Sequence, residues 1–153
     1  MSRHFRLITS GTPDFFATGM LTLETRGEGF SDITRDARSF IAEIGARDGT
    51  LTLFVRHTSA SLTIQENADP DVQVDLTTAL RRVAPQNAGW VHSAEGPDDM
   101  PAHIRAMLTD TSLQVPVING ELGLGTWQGV YLIEHRARAH RRELMMHFIG
   151  TQR

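Results

Sequence analysis

The chain has 153 residues, a net charge of −3 and no cysteine. Its 40% hydrophobic and 22% charged residues are typical of one folded domain rather than of a disordered chain. The lack of cysteine excludes disulfides, thiolate metal ligands and a cysteine nucleophile, and the small negative charge argues against a nucleic-acid partner. Because no apolar run approaches the roughly 18 residues of a membrane helix and no signal peptide is evident, we expect a cytoplasmic protein without a membrane partner.

The first half of the chain predicts two strands, a helix and a third strand, at residues 3–9, 18–25, 32–44 and 50–56. Strands are indicated where apolar side chains alternate with other residues, as Phe5 and Leu7 do in the first of them. The helix is indicated by apolar residues at helical spacing from Ile33 to Ile44, and Gly45 ends it.

The second half predicts two helices and then three strands; the strands lie at 113–118 and near 122–135 and 143–149. Asp69 and Pro70 begin the first helix, which runs to about Val83, because proline fits the first helical turn. Asp98 or Asp99 caps the second, shorter helix. This order of elements predicts an α+β fold, a compact single domain with a large mixed or antiparallel, sandwich-like sheet and about three helices.

Five motifs stand in the order typical of one family: His57-Thr-Ser-Ala-Ser-Leu-Thr-Ile, Glu66-Asn67-Ala-Asp69-Pro70, His92-x-x-Glu95-Gly96, Asp99-Met-Pro-Ala-His103 and Gly125-Thr-Trp-Gln-Gly129. Through them the chain resembles the YjbQ-like family, described as secondary thiamine-phosphate synthase proteins, so residues 1–153 are expected to form a single YjbQ-like domain. The resemblance implies a compact α+β fold, a homotrimer and a histidine-lined site that holds a metal. The implied activity joins a pyrimidine methyl diphosphate to a thiazole phosphate and releases diphosphate.

Three histidines, His57, His92 and His103, are the predicted metal ligands. Three neutral imidazoles leave a fourth position for water or substrate, which is the pattern of a catalytic zinc site. From the residues alone, three unconnected histidines remain an alternative. With the family pattern we expect a divalent metal, zinc first, with magnesium as a second ion for a diphosphate substrate.

The remaining candidates surround a small phosphorylated or heteroaromatic molecule. Glu66, Glu95 and His103 are assigned catalytic roles, since carboxylates beside metal-bound histidines fix the tautomer or act as a general base. The predicted substrate-binding residues are Thr58, Ser59, Asn67, Asp69, Trp127, Gln128 and Arg141. Trp127 suits stacking on a heteroaromatic ring, although a core or interface role is equally open. Arg141 suits phosphate, whereas Arg136 and Arg138 are assigned to a solvated turn.

Three classes of function stay open. The resemblance implies a metal-assisted transferase of the thiamine-phosphate synthase type. A metal-dependent hydrolase or lyase is the second class, because the same ligands would suit water activation. The third class is a non-catalytic trimer that binds a small ligand.

Overall fold

The structure, a computed structural model, describes residues 2–153; Met1, the first residue of the predicted domain, lies outside the described residues. The eight strands are β1 (Phe15–Glu24), β2 (Gly29–Asp32), β3 (Ala46–Val55), β4 (Ala60–Glu66), β5 (Ser112–Ile118), β6 (Glu121–Leu122), β7 (Gln128–Glu134) and β8 (Arg141–Gln152). The three helices are α1 (Thr34–Glu43), α2 (Pro70–Val83) and α3 (Asp99–Leu108). The predicted α+β class and the number of helices are confirmed.

The strands form two antiparallel sheets. One sheet has five strands in the order β1-β8-β3-β5-β6, and the other has three in the order β2-β7-β4. The mixed alternative is not realised, because every strand pair within residues 2–153 is antiparallel. Both sheets and α1 contribute to one core, through buried residues that include Ile41, Leu51, Leu62, Leu132 and Phe148.

Local signals explain the helices. The apolar stripe predicted from Ile33 buries Ala37 and Ile41 against the sheets. In α2, Pro70 occupies the first turn and the Asp69 side chain accepts a hydrogen bond from the Asp71 backbone N–H, as expected of a helix start. Within residues 2–153, no helix is long and apolar enough to cross a membrane.

Three strand predictions need correction. Residues 3–9 form no strand, and Phe5 is 93% exposed, because the ladder with β8 begins only where the Asp14 N–H bonds to the Gly150 carbonyl. The predicted strand 122–135 is two strands, interrupted by a turn around Gly125. Strands β2 and β4 were not predicted, and β4 lies in the segment between the predicted strand 50–56 and the helix that begins at Asp69 and Pro70.

The pair β4 and β7 fixes where the candidate residues lie. Ala60 is opposite Glu134 at one end of this pair, and Glu66 is opposite Gln128 at the other. We call these the Thr58 end and the Trp127 end, after Thr58, which lies two residues before β4, and Trp127, which immediately precedes β7. Six residues of extended chain separate them, which corresponds to about 20 Å.

Candidate functional site

At the Thr58 end, His92, Asp99 and His103 form one group. Each offers a ligand atom within 4.8 Å of the others. Nε2 of His92 lies 2.6 Å from Oδ2 of Asp99, and Nε2 of His103 lies 3.0 Å from the same oxygen. Asp99 and His103 are four residues apart on α3, so both side chains project from one face of the helix. The segment before α3 brings His92 to them.

The orientation of His103 is set by Thr58. Nδ1 of His103 lies 2.8 Å from the Thr58 carbonyl oxygen. Because a carbonyl only accepts, this nitrogen carries a proton, and in a neutral ring Nε2 then presents a lone pair to the Asp99 carboxylate. Two acceptors facing each other repel unless a second ring proton or a cation lies between them. The arrangement is therefore suited to hold a positive charge at this point.

Asp99 is ionised in this environment. It is 1% exposed, and burial alone raises its pKa. The hydrogen bond with His92, the attraction of the His103 ring when it is protonated and the positive charge of Arg136 together outweigh burial, so the pKa of Asp99 is below its ordinary value. A carboxylate that stays ionised while buried is in the form that binds a cation.

Arg136 holds the other oxygen of this carboxylate. Its Nη1 donates to Oδ1 of Asp99 at 2.6 Å, its Nε to Oδ2 of Asp98 at 3.0 Å and its Nη2 to the Glu95 carbonyl at 2.9 Å. The guanidinium thereby joins the start of α3 to the chain that follows β7. The assignment of Arg136 to a solvated turn was wrong, because the side chain is buried against the carboxylates that precede and begin α3.

His57 does not join the group of His92 and His103; Asp99 occupies the third place instead. Nε2 of His57 accepts a hydrogen bond of 2.9 Å from the Glu143 backbone N–H, so in the neutral ring the proton is on Nδ1. Burial, and then the charge of Arg142, lower the pKa of His57, which favours the neutral ring. Because the β3–β8 ladder sets His57 beside Glu143, its Nε2 is already engaged away from the histidine pair.

The Trp127 end contains the other predicted contacts. The side chains of Glu66 and Asp69 cap the turn into α2: Glu66 Oε2 accepts from the Asp69 N–H at 3.0 Å, and Asp69 Oδ1 accepts from the Asp71 N–H at 2.9 Å. Glu66, which we predicted to be catalytic, therefore has a capping position in this turn. These carboxylates lie about 20 Å along the strand pair from the histidine group.

Two amide side chains form hydrogen bonds with the backbone at the Trp127 end. Asn67 Nδ2 donates to the Gln128 carbonyl at 3.5 Å, and Gln128 Oε1 accepts from the Gly125 N–H at 2.8 Å. Trp127, between them, is 64% exposed, so its ring is free to contact another molecule. In one chain, none of these side chains reaches the histidine group.

The remaining predicted site residues, Ser59, Glu95 and Arg141, differ in burial and do not form one group. Ser59 is buried and accepts a hydrogen bond of 2.9 Å from Arg142 Nη2, and the exposed Glu95 contributes its carbonyl to Arg136. Arg141 is exposed at the start of β8, opposite Glu24. The next residue, Arg142, points to the opposite face of the strand and is buried, as the pleat of a strand requires.

A buried polar layer supports the Thr58 end. Glu134 pairs with Arg142, and although burial raises the pKa of Glu134, its hydrogen bonds with Arg142, the Arg136 N–H and Thr25 lower it below the ordinary value. Beside it, Nε2 of His135 lies 2.8 Å from Ser61 Oγ. Burial, together with the nearby charge of Arg105, lowers the pKa of His135 to about 4, so this ring is neutral.

Sequence reasoning missed Asp99, Arg136 and Arg142 as members of the site. The spacing of Asp99 and His103, four residues apart in a predicted helix, was the available signal for the first. Nothing local indicates Arg136, whose partner Asp99 lies 37 residues away. Arg142 has its partner Glu134 only 8 residues before it, but its contact with Ser59 spans 83 residues.

Two antiparallel sheets with a His–Asp–His group beside the end of one strand pair define a small α+β protein with a candidate metal centre. The family described as UPF0047 protein YjbQ-like matches residues 19–151, and the chain belongs to this family. A UPF0047 protein from Synechocystis sp. is 49% identical over 132 residues, which are 86% of this chain and 90% of the relative. The UPF0047 protein YjbQ of Escherichia coli is 40% identical over 126 residues, or 82% and 91% of the two chains.

Solved structures agree with this assignment. The crystal structure of a YjbQ/UPF0047-family protein from Clostridium acetobutylicum has a TM-score of 0.79 and 38% identity, and the match covers 84% of this chain and 98% of that one. That of a hypothetical protein from Aeropyrum pernix has a TM-score of 0.81 and 26% identity, covering 88% and 99%. Both matches therefore cover more than four fifths of this chain.

Proposed function

We propose that the protein is a metal-dependent enzyme whose centre is His92, Asp99 and His103, and that it catalyses a transfer of the thiamine-phosphate synthase type. The observation that carries the first part is the contact between His103 and Thr58. It directs the unprotonated nitrogen of the ring to the buried Asp99 carboxylate, at the point where a cation would lie.

The donor set fits zinc. Two imidazole nitrogens and one carboxylate oxygen leave a position for water or substrate, as in catalytic zinc sites with two histidines and one carboxylate. The groups behind these ligands fit as well, because Thr58 fixes the tautomer of His103 and Arg136 holds the second oxygen of Asp99. When bound, the ion would supply Lewis-acid stabilisation of a departing oxygen.

The transferase assignment rests on the resemblance and on charge. Formation of thiamine phosphate requires diphosphate to leave a pyrimidine methyl carbon, so negative charge develops on the departing oxygen. Cationic groups at that oxygen stabilise the transition state more than the ground state. His92 and His103 would orient that end of the substrate, with magnesium as a companion ion of the diphosphate. The thiazole nitrogen carries no proton, so its bond to the methyl carbon forms as the carbon–oxygen bond to diphosphate breaks, and the exposed Glu95 carboxylate nearby would stabilise the positive charge that develops on the methyl carbon and the thiazole ring.

The test is thiamine phosphate formation from the two purified precursors, with metal-free and metal-loaded protein. His103→Ala should lower turnover about 100-fold or more, the scale of losing one main electrostatic contact. Metal content of untagged protein should fall in parallel in a His92→Ala/His103→Ala variant. Activity that survives both metal removal and His103→Ala would refute the transferase proposal.

A hydrolase or lyase is the second candidate, favoured by the access of water to the centre. The His92 side chain is 42% exposed, so a metal-bound water would meet bulk solvent. Release of diphosphate from the pyrimidine substrate in the absence of the thiazole partner would favour this class. Metal binding without turnover of either kind would favour a non-catalytic ligand-binding protein.

We also propose a homotrimer. Strands β1, β3 and β8 expose an apolar face on the side away from the core, with Phe16 opposite Ile149 and both Met20 and Phe54 opposite Met145. The polar pair Thr18 and His147 lies between these two apolar groups, and exposed apolar groups on one sheet face mark an association site. Light scattering should give three times 17.0 kDa. A trimer would allow the Trp127 end of one subunit to meet the histidine group of another. Mixing Trp127→Ala protein, expected chiefly to raise KM, with His103→Ala protein, expected to lower turnover, should then restore part of the activity.

A further inference from the structure

A separate cavity has Thr58 in its lining and none of the three residues of the histidine group. It has a volume of about 470 Å³ and is lined by Arg56, His57, Thr58, Thr111 and Arg142, among others. The Thr58 carbonyl binds His103, while the same residue lines the cavity, so one residue separates the cavity from the candidate metal centre. A volume of this size admits a small ligand or one end of a larger one.

Arg142 is the buried charged residue in the lining of this cavity. Its side chain is 4% exposed; Nε and Nη2 are engaged by Glu134 and Ser59. Within residues 2–153, Nη1 has no hydrogen-bond partner, yet it is not among the unpaired atoms that are sealed from solvent. Since Arg142 lines the cavity, its Nη1 donors are available there.

The other polar groups of the lining also donate. His57 accepts from Glu143 through Nε2, so its Nδ1 carries a proton, and this proton has no acceptor within residues 2–153. The hydroxyls of Thr58 and Thr111 are exposed and rotate freely. The exposed pair of Arg56 with Glu143, at 3.2 Å, is of the weak kind that a ligand displaces. No carboxylate lines the cavity.

We propose that this cavity binds an oxyanion, the phosphate or carboxylate group of a ligand, through Arg142 Nη1, His57 Nδ1–H and the hydroxyls of Thr58 and Thr111. A lining that offers donors and no acidic group selects a ligand that offers only acceptors. The oxyanion site stands on these contacts alone. That the same ligand also reaches the metal centre rests on the proposed function.

The test is titration of metal-free protein with inorganic phosphate, followed by the NMR resonances of the His57 ring at constant ionic strength in chloride. We expect a saturable shift. Acetate titrated in parallel distinguishes the two sources, because the tighter of the two anions identifies the class of group that the cavity takes. A His57 ring that responds to neither anion overturns the proposal.

Two variants separate this site from general positive charge. Glu134→Gln/Arg142→Met removes both members of the buried pair, leaves the net charge unchanged and should weaken anion binding about ten-fold or more, the scale of losing a charged donor. Arg138→Gln removes an exposed positive charge four residues away in the chain and should leave binding within two-fold, roughly the effect of one screened surface charge. Equal weakening in both variants overturns the proposal.

Thr111→Val is a third variant that leaves the buried pair intact, and a loss of about three-fold or more is expected from a missing neutral hydrogen bond. The proposed metal centre is tested independently of the oxyanion site. His92→Ala should abolish metal binding and leave the phosphate titration unchanged, whereas a protein that binds phosphate but no metal would contradict only the metal centre.

Discussion

The two ends of the β4–β7 pair carry similar residue types in very different environments. At the Thr58 end, Asp99, Glu134 and Arg142 are buried and hold one another in place with their neighbours. At the Trp127 end, Glu66 and Asp69 are accessible and bind the backbone N–H groups of a turn. Burying charges costs free energy that capping a turn does not. A carboxylate at the Thr58 end, where the fold removes it from water, therefore supports a binding site, whereas a carboxylate at the Trp127 end caps a turn.

The largest expected effect is a difference in the free energy of unfolding between a variant at the Thr58 end and a variant at the Trp127 end. Arg142→Met leaves the Glu134 carboxylate buried without its cation and should lower the free energy of unfolding by about 3–5 kcal/mol. Trp127→Ala should change it by about 0.5 kcal/mol or less, since the ring is exposed. Urea unfolding measures both. If the double variant Glu134→Gln/Arg142→Met is no more stable than Arg142→Met, the cost does not arise from the unpaired charge.

The next effect concerns acid. The pKa of His135 is about 4 in the folded chain against an ordinary value of 6.5, so between these values the unfolded chain binds a proton that the folded chain does not. Stability contributed by the neutral ring is therefore complete above pH 6.5 and is lost as the pH falls towards 4, by about 3 kcal/mol in total. Unfolding at several pH values checks this.

His135→Gln is the control for the acid effect, because glutamine keeps a polar group near Ser61 and does not titrate. The loss of stability between pH 6.5 and 4 should be smaller in this variant than in the wild type. Identical slopes in the two proteins would assign the acid sensitivity to other groups.

A smaller effect tests the support of the metal centre. Arg136→Lys keeps the charge but loses the planar fork that binds Asp98 and Asp99, and zinc affinity should fall about 10–100-fold. Calorimetric titration measures the affinity, with the exposed Arg138→Lys as the matched control. Unchanged affinity in Arg136→Lys would mean that Asp99 needs no such support.

The smallest effect belongs to the Trp127 end. Glu66→Ala removes a side-chain acceptor from the turn before α2 and should lower the free energy of unfolding by about 0.5–1 kcal/mol without changing zinc affinity. A large loss of synthase activity in this variant, with stability and metal retained, would instead connect the two ends through neighbouring subunits.

Local signals were enough for the helices and insufficient for some strands. The start of α2 at Pro70 and the apolar stripe of α1 depend only on residues that are close together in the sequence. The bounds of both helices are therefore close to the predicted ones. In β4, Ser61 looks like a loop residue, but it is buried because His135, 74 residues later, binds its hydroxyl. Conversely, Phe5 and Leu7 alternate as in a strand, yet the chain offers them no pairing partner.

The candidate site was predictable in part for the same reason. His92 and His103 were assigned to one group and lie in one group. His57 was added to them on residue type and family pattern, while its actual partner is a backbone amide 86 residues away. Asp99 was assigned a capping role because it begins a helix. Its contact with Arg136 depends on the turn after β7, which no short motif reveals.

The contacts that hold Asp99 and His103 also determine when the centre can form during synthesis. Thr58 precedes His103 by 45 residues, and Arg136 follows Asp99 by 37. The segment from His92 to His103 thus leaves the ribosome well before the arginine that orients its carboxylate. Contacts of such sequence separation form late, because closing the chain between them costs entropy. A metal ion offered to the growing chain would meet flexible ligands, and high affinity would arise only after β7 and the residues following it have folded.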